Sequence, residues 1–197
     1  HKVNESAQSR CVGLVIETRP DYIDKKEIVK LRRLGATKIQ IGIQSLNDRV
    51  MELNKRGHGS KETIQAIKLL RLGGFKIHAH WMPNLYGSSV QEDIEDFDKL
   101  WEPEVCPDEL KIYPTSIIAK TELYDRFKED KYKPYSYEEL LKVLSTVMPK
   151  VPRYCRVTRV IRDIPSTDIV AGNKYTNFRQ IAEQDIQKKG GSIQDIR

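Results

Sequence analysis

The sequence predicts an α/β fold built around a parallel sheet. Three observations carry that expectation. Short apolar runs alternate along the chain with longer stretches of helical periodicity, the pattern of repeated βαβ units. The helical stretches open on capping residues and close on glycine. Each apolar run also ends abruptly in polar side chains. The crossovers between such strands are expected to be right-handed.

The elements follow in order. Residues 12–17 read as the first strand, an apolar run delivering Glu17, Arg19 and Asp21 at its end. Asp24 offers a helix cap with Glu27 three positions on, and Ile28, Leu31 and Leu34 form a stripe that stops at Gly35. Residues 38–45 are the second strand, with Ile39, Ile41 and Ile43 alternating. Asn47 caps a short helix. A longer one follows Ser60, with Ile64, Ile67 and Leu70 on one face, and stops at Gly73 and Gly74. Residues 75–82 are the third strand. Ser89 and Glu92 box the next helix, which carries Ile94, Phe97 and Leu100, and residues 109–114 are the fourth strand. Beyond Pro114 the pattern changes. Ser136 and Glu139 box a helix through Met148, residues 153–165 are basic and β-branched, and a last helix around 178–189 stops at Gly190.

The chain has 197 residues, 39% hydrophobic and 31% charged, with 34 Lys and Arg against 28 Asp and Glu. The resulting charge of +6 leans toward anionic partners such as nucleic acid or phosphorylated cofactors. No run approaches the roughly 18 apolar residues of a membrane span, and no signal-peptide pattern opens the chain. A cytoplasmic, reducing location is expected. Cys11, Cys106 and Cys155 lie far apart and none sits in a C-x-x-C pair, so no metal or iron–sulfur site is expected from them. They read as buried thiols. The opening "HKVNESAQSR" lacks a start methionine and reads as part of a longer protein.

The polar residues fall at the strand ends: Glu17 to Asp21 after the first, Gln44 and Ser45 after the second, His80 to Asn84 after the third, and Lys111, Tyr113 and Thr115 around the fourth. In β/α barrels and open α/β sheets the active site lies at the carboxyl ends of the strands, so these groups are expected to converge. Glu17 can accept hydrogen bonds from an amine or a ribose. The amide of Gln44 both donates and accepts, which suits a nucleoside or an amino-acid moiety. Arg56, in the glycine-bracketed "NKRGHG", is a candidate clamp for a carboxylate or phosphate. His78 and His80 share one strand face. Two histidines so spaced can ligate metal, but no third ligand is evident, and a hydrogen-bonding role for His80 is preferred. Arg153, Arg156, Arg159 and Arg162 recur every third residue. They form one stripe if helical and split between faces if extended; phosphate contact is the functional reading and a solvated face the alternative.

The blocks "SRCVGLVIETRPDYI", "IQIGIQS", "NKRGH", "FKIHAHWMPNL", "LKIYPT" and "RVIRDIP", in that order, resemble the catalytic subunit of Elongator and its bacterial and archaeal relatives. These are radical SAM tRNA uridine carboxymethyltransferases. The resemblance runs from about residue 9 to the end. It implies a partial radical SAM β/α barrel, the third to sixth strands over 9–115, followed over 116–197 by a C-terminal extension with helical and basic, tRNA-facing elements. It implies a [4Fe–4S] cluster that cleaves S-adenosylmethionine, acetyl-CoA as co-substrate and a wobble uridine of tRNA as target. Carried onto this chain, Glu17, Arg19, Gln44 and Arg56 fall at cofactor-binding positions. His80, Lys111 and Tyr113 line the same cavity as catalytic candidates. Arg153, Arg156, Arg159 and Arg162 become the RNA-binding series, and in a eukaryote other Elongator subunits become partners.

The cluster cysteines and the acetyltransferase domain of that family match nothing in this chain, so the chain alone is expected to perform no radical chemistry. A truncated barrel is also expected to leave an unpaired strand edge. Two other readings compete: a non-catalytic tRNA-binding remnant, and an unrelated β/α-barrel enzyme using Glu17 and His80 as acid and base.

Overall fold

A computed structural model describes residues 2–161 and 164–196. Its elements run α1 (Lys2–Ser6), β1 (Val15–Thr18), α2 (Lys25–Leu34), β2 (Lys38–Gln44), α3 (Asp48–Leu53), α4 (Ser60–Leu72), β3 (Lys76–Trp81), α5 (Val90–Lys99), β4 (Glu109–Ile112), β5 (Ile117–Ile118), α6 (Glu122–Lys128), α7 (Tyr137–Val147), β6 (Arg156–Val160), β7 (Ile169–Ala171) and α8 (Phe178–Lys188). β1, β2, β3, β4 and β6 form one parallel sheet in that order, while β5 and β7 pair separately and antiparallel.

Strand alternation divides the sheet into two faces. Ile39, Ile41, Ile77, Ala79, Trp81, Leu110, Ile112, Val157 and Val160 are buried in one core with Leu31, Ile67, Leu70, Phe97, Leu144, Phe178 and Ala182 from the helices. The opposite positions are polar: Lys38 and Gln40 on β2, His78 and His80 on β3, Glu109 and Lys111 on β4. The caps form as the sequence predicts. Asp24, Asn47, Ser89 and Ser136 each accept from the first turn of their helix, and Gly35 closes α2 at φ 83°.

Two expectations are corrected. The first strand starts at Val15, and Val12, 89% exposed, lies outside it. β1 is the sheet's edge and pairs only with β2; Ile16 packs against the core while Leu14 and Val15 stay exposed. Leu34 closes the stripe of α2 in sequence but is half exposed, because Leu31 alone of that helix is fully buried.

The two sheet edges are managed differently. Among the described residues no strand pairs with the outer side of β1. The edge of β6 is covered by the chain's own end. Arg179 on α8 donates to Val157 O at 2.8 Å, and Val157 N donates to Asp195 Oδ2 at 3.2 Å. Such covering removes a row of backbone groups that would otherwise recruit another strand.

The arginine series is resolved by a bulge. β6 is extended, and its register against β4 shifts between Leu110 and Lys111. Two consecutive residues, Thr158 and Arg159, therefore lie between the core residues Val157 and Val160. Arg156, Thr158 and Arg159 are all exposed, where strict alternation would have buried one of the arginines.

Candidate active site

Two buried carboxylates on α5 hold the loops at the carboxyl edge of the sheet. Asp96 accepts from Leu46 N and from Trp81 Nε1, each at 2.9 Å. Asp93 accepts from Asn84 N at 2.6 Å, Ser88 Oγ at 2.5 Å and Tyr135 OH at 2.7 Å. Tyr132 OH adds a bond to Asn84 O at 2.7 Å. The loop after β2 and the loop after β3 are thus fixed from one helix.

The polar face then assembles across four strands. Lys111 Nζ donates to Gln40 Oε1 at 2.8 Å, and His80 Nε2 bonds the same oxygen at 3.1 Å. His80 Nδ1 lies 3.7 Å from Glu17 Oε1, whose side chain is 64% exposed. The Tyr113 ring lies 5.8 Å from both the His80 ring and the Lys111 ammonium. Burial, with the Lys111 charge adding, pulls His80 down to about 4, so its ring is neutral at pH 7. Burial also lowers the Lys111 ammonium; Glu17 opposes, and Arg159 and Lys38 reinforce.

Toward the amino ends of the strands a second cluster underlies the first. Glu109 accepts from Lys38 at 2.7 Å and Lys76 at 2.9 Å. Burial pushes its carboxyl up, but the two ammonium groups outweigh it and hold the group below its ordinary value. His78 Nε2 is 2.9 Å from Thr158 Oγ1, and its Nδ1 is 3.4 Å from Glu109. Burial takes His78 down to about 3.

Gln44 stands at φ 62° where β2 ends, and its Oε1 is buried without a partner. A Cβ on Gly42 would sit 2.7 Å from Gln44 Nε2. The glutamine amide therefore folds back into space that any other residue at 42 would fill. Arg19 is engaged elsewhere. Its guanidinium grips Asp21 through two bonds, 3.0 and 2.7 Å, and donates to Arg56 O at 2.8 Å. That last bond joins the loop after β1 to the loop holding Arg56, and the buried ring of His58 lies 3.5 Å from Asp21 beside it.

Of the sequence candidates, Glu17, His80, Lys111 and Tyr113 come together, and Gln44 ends the strand beside them. Arg19 and Arg56 form the adjoining loop junction. Arg159 lies close enough for its charge to lower Lys111, while Arg153 lies exposed in the turn before β6, at the amino end of the sheet. Arg162 lies outside the described residues. Gln40, Lys38, Glu109 and Thr158 were missed. The signal for the first two was present: if Ile39 and Ile41 face the core, Lys38 and Gln40 must face away from it.

The parallel β/α sheet with this polar carboxyl edge has clear relatives. The chain belongs to the radical SAM superfamily, whose profile matches residues 5–100, with the radical SAM C-terminal domain matching 107–188. Within it, the chain is 42% identical over all 197 residues to the tRNA uridine(34) acetyltransferase of Methanocaldococcus infernus, of which it covers 37%. It is 36% identical over the same span to human Elongator complex protein 3, of which it covers 36%. The solved structure of the archaeal Methanocaldococcus infernus Elp3 superposes with a TM-score of 0.94 at 42% identity, covering all of this chain and 46% of that one. Coproporphyrinogen III oxidase (HemN) of Escherichia coli shares the fold over 67% of this chain and 30% of that one, with a TM-score of 0.54 at 20% identity. The ordered motif blocks thus pointed to the relatives found here.

The superfamily implies S-adenosylmethionine and a [4Fe–4S] cluster. The residues present fit the first: an unpartnered buried amide oxygen at Gln44, a carboxylate at Glu17 and a cation at Lys111 suit a zwitterionic, hydroxyl-bearing ligand. They do not fit the second. Cys11 is exposed, Cys106 half-buried and Cys155 buried, its thiol pushed up to about 12 by burial, and no grouping of metal ligands occurs among the described residues. The expectation of three buried thiols holds only for Cys155. No helix among the described residues is long and apolar enough to cross a membrane.

Proposed function

We propose that this chain is the S-adenosylmethionine-binding sheet of an enzyme that carboxymethylates the wobble uridine of tRNA, with acetyl-CoA as co-substrate. The observation that carries the reading is the buried, unpartnered Oε1 of Gln44 at the carboxyl edge, on a chain similar throughout to tRNA uridine(34) acetyltransferases. An unsatisfied buried acceptor costs about 1–3 kcal/mol unless a ligand donates to it.

In this reading Glu17 accepts from the amine or ribose of S-adenosylmethionine, and Gln44 pairs with the same molecule. Arg56 and Arg19 hold the adjoining loop. S-adenosylmethionine held there would supply the radical chemistry of the superfamily. The chain's own part is to position and to move protons. Lys111 donates to an oxygen that gathers negative charge in the reaction, Tyr113 walls the pocket, and neutral His80 accepts a proton. Arg153, Arg156, Arg159 and Arg162 contact tRNA phosphates. Any further Elongator-type subunits belong to a eukaryotic setting, and the location is cytoplasmic.

Calorimetric titration of S-adenosylmethionine into the 197-residue chain tests the reading. Binding is expected, weakened about tenfold or more by Glu17→Ala and by Gln44→Ala, since each removes one polar contact worth about 1.5 kcal/mol. No binding by the wild-type chain, or unchanged affinity in both variants, overturns it.

A further inference from the structure

We propose that Gln40 is a positioning residue that fixes His80 as the neutral tautomer carrying its proton on Nε2, leaving the Nδ1 lone pair facing Glu17. The logic is one of donors and acceptors. A lysine ammonium has donors only, so the Gln40 atom 2.8 Å from Lys111 Nζ must be the amide oxygen. This removes the usual ambiguity of the glutamine flip. The same oxygen is 3.1 Å from His80 Nε2, and an oxygen can only accept, so that nitrogen carries the proton. The Nδ1 of a neutral ring is then an acceptor. It looks across 3.7 Å at Glu17 Oε1, a second acceptor, too far for a direct bond. Between them is a place for a group that donates twice.

The surrounding groups agree. His80 is faced by Glu17 from β1, Gln40 from β2, His78 on its own strand, Lys111 from β4 and Tyr113 from the loop just after it. Lys111 opposes a second proton on the ring, and burial acts in the same direction. His78 makes the contrast. Its Nε2 partner, Thr158 Oγ1, donates its one proton to Leu110 O at 3.3 Å and so accepts from the ring, while the Glu109 carboxylate lies 3.4 Å from Nδ1; two acceptors therefore compete for the single proton of that neutral ring.

The tautomer stands independently of the proposed reaction; only its use in placing a proton acceptor beside the ligand rests on that reading. It is read on the ligand-free 197-residue chain by two-bond ¹H–¹⁵N correlation at pH 7, with His80 assigned by its loss in His80→Asn. The expected spectrum has a pyrrole-like Nε2 and a pyridine-like Nδ1. Gln40→Leu should raise the Nδ1–H form. Gln40→Glu, whose carboxylate still accepts from Nε2–H, should keep the wild-type tautomer and move the ring's titration upward. A wild-type His80 found with its proton on Nδ1 or doubly protonated overturns the inference. So does a folded Gln40→Leu chain with the wild-type His80 signature, or a Gln40→Glu chain that shifts to the Nδ1–H form. Should Gln40→Leu fail to fold, the wild-type spectrum and Gln40→Glu decide.

Discussion

Trp81 donates its indole N–H to Asp96 Oδ2 at 2.9 Å, joining β3 to α5 inside the core. Leu46 N shares that carboxylate, so one buried acidic group sets the positions of a strand end and of the loop after β2. Asp96→Ala strands both donors. The expected loss is about 3 kcal/mol in urea unfolding of the chain, from two buried groups at 1–3 kcal/mol each. Asp96→Asn should lose less, because its amide oxygen still accepts. A loss within 0.5 kcal/mol of zero for the alanine variant, an approximate surface-substitution range, would show that the carboxylate does not hold this loop.

Acid stability follows from opposed titrations. His78 and His80 fall to about 3 and about 4 in the folded chain, against roughly 6.5 when unfolded. Between those values the unfolded chain binds more protons, so their contribution is full above about pH 6.5 and is lost as pH falls. Asp93 works the other way. Burial raises it to about 6 despite its three hydrogen bonds, against about 3.9 unfolded. It holds its proton in the folded state, and its contribution is lost as pH rises through 6. Each group contributes a slope of at most about 1.4 kcal/mol per pH unit. Asp96 is also raised by burial, while His58 is lowered with the other two rings and Glu109 is held down by its lysines. The lowered groups outnumber the raised carboxylates, so unfolding free energy should fall from pH 6.5 to pH 4. Asp93→Asn should steepen that fall, and His78→Asn should flatten it. A pH-independent midpoint over this range would contradict the burial of both rings.

Gly42 is a test of where the Gln44 amide lies. An alanine Cβ would come 2.7 Å from Gln44 Nε2, so the flexible amide must swing away, while Gly42 has no positive φ to oppose the substitution. Gly42→Ala should change unfolding free energy by no more than about 1 kcal/mol. It should weaken S-adenosylmethionine binding about as much as Gln44→Ala does, and the double variant should lose nothing further, because both act through one amide. Full additivity in calorimetry would place the two effects in different parts of the site.

Much of this arrangement could be read from residues adjacent in sequence. The alternating isoleucines of "KIQIGIQ" and the capping pairs at Asp24, Ser89 and Ser136 are local signals, and they appear where expected. Glu17, His80 and Lys111 were marked because strand ends carry sites. Lys38 and Glu109 are 71 residues apart, and their bond exists because β2, β3 and β4 pair in one register; no local pattern encodes it. The bulge that keeps Arg156 and Arg159 exposed is likewise a property of β6 against β4. Arg19 shows the converse. Its motif is local and conspicuous, yet its guanidinium is taken up by Asp21 and the backbone of Arg56.

The most direct test of the central claim is a transplant. The 197-residue chain replaces the matching segment of the Methanocaldococcus infernus enzyme, to which it is 42% identical, and the purified chimera is assayed for 5′-deoxyadenosine release and for carboxymethylated wobble uridine in tRNA. The account predicts both products, and loss of both on Glu17→Ala with tRNA binding retained. A folded, tRNA-binding chimera that cleaves no S-adenosylmethionine, or one that Glu17→Ala leaves unchanged, would contradict it and favour a tRNA-binding remnant.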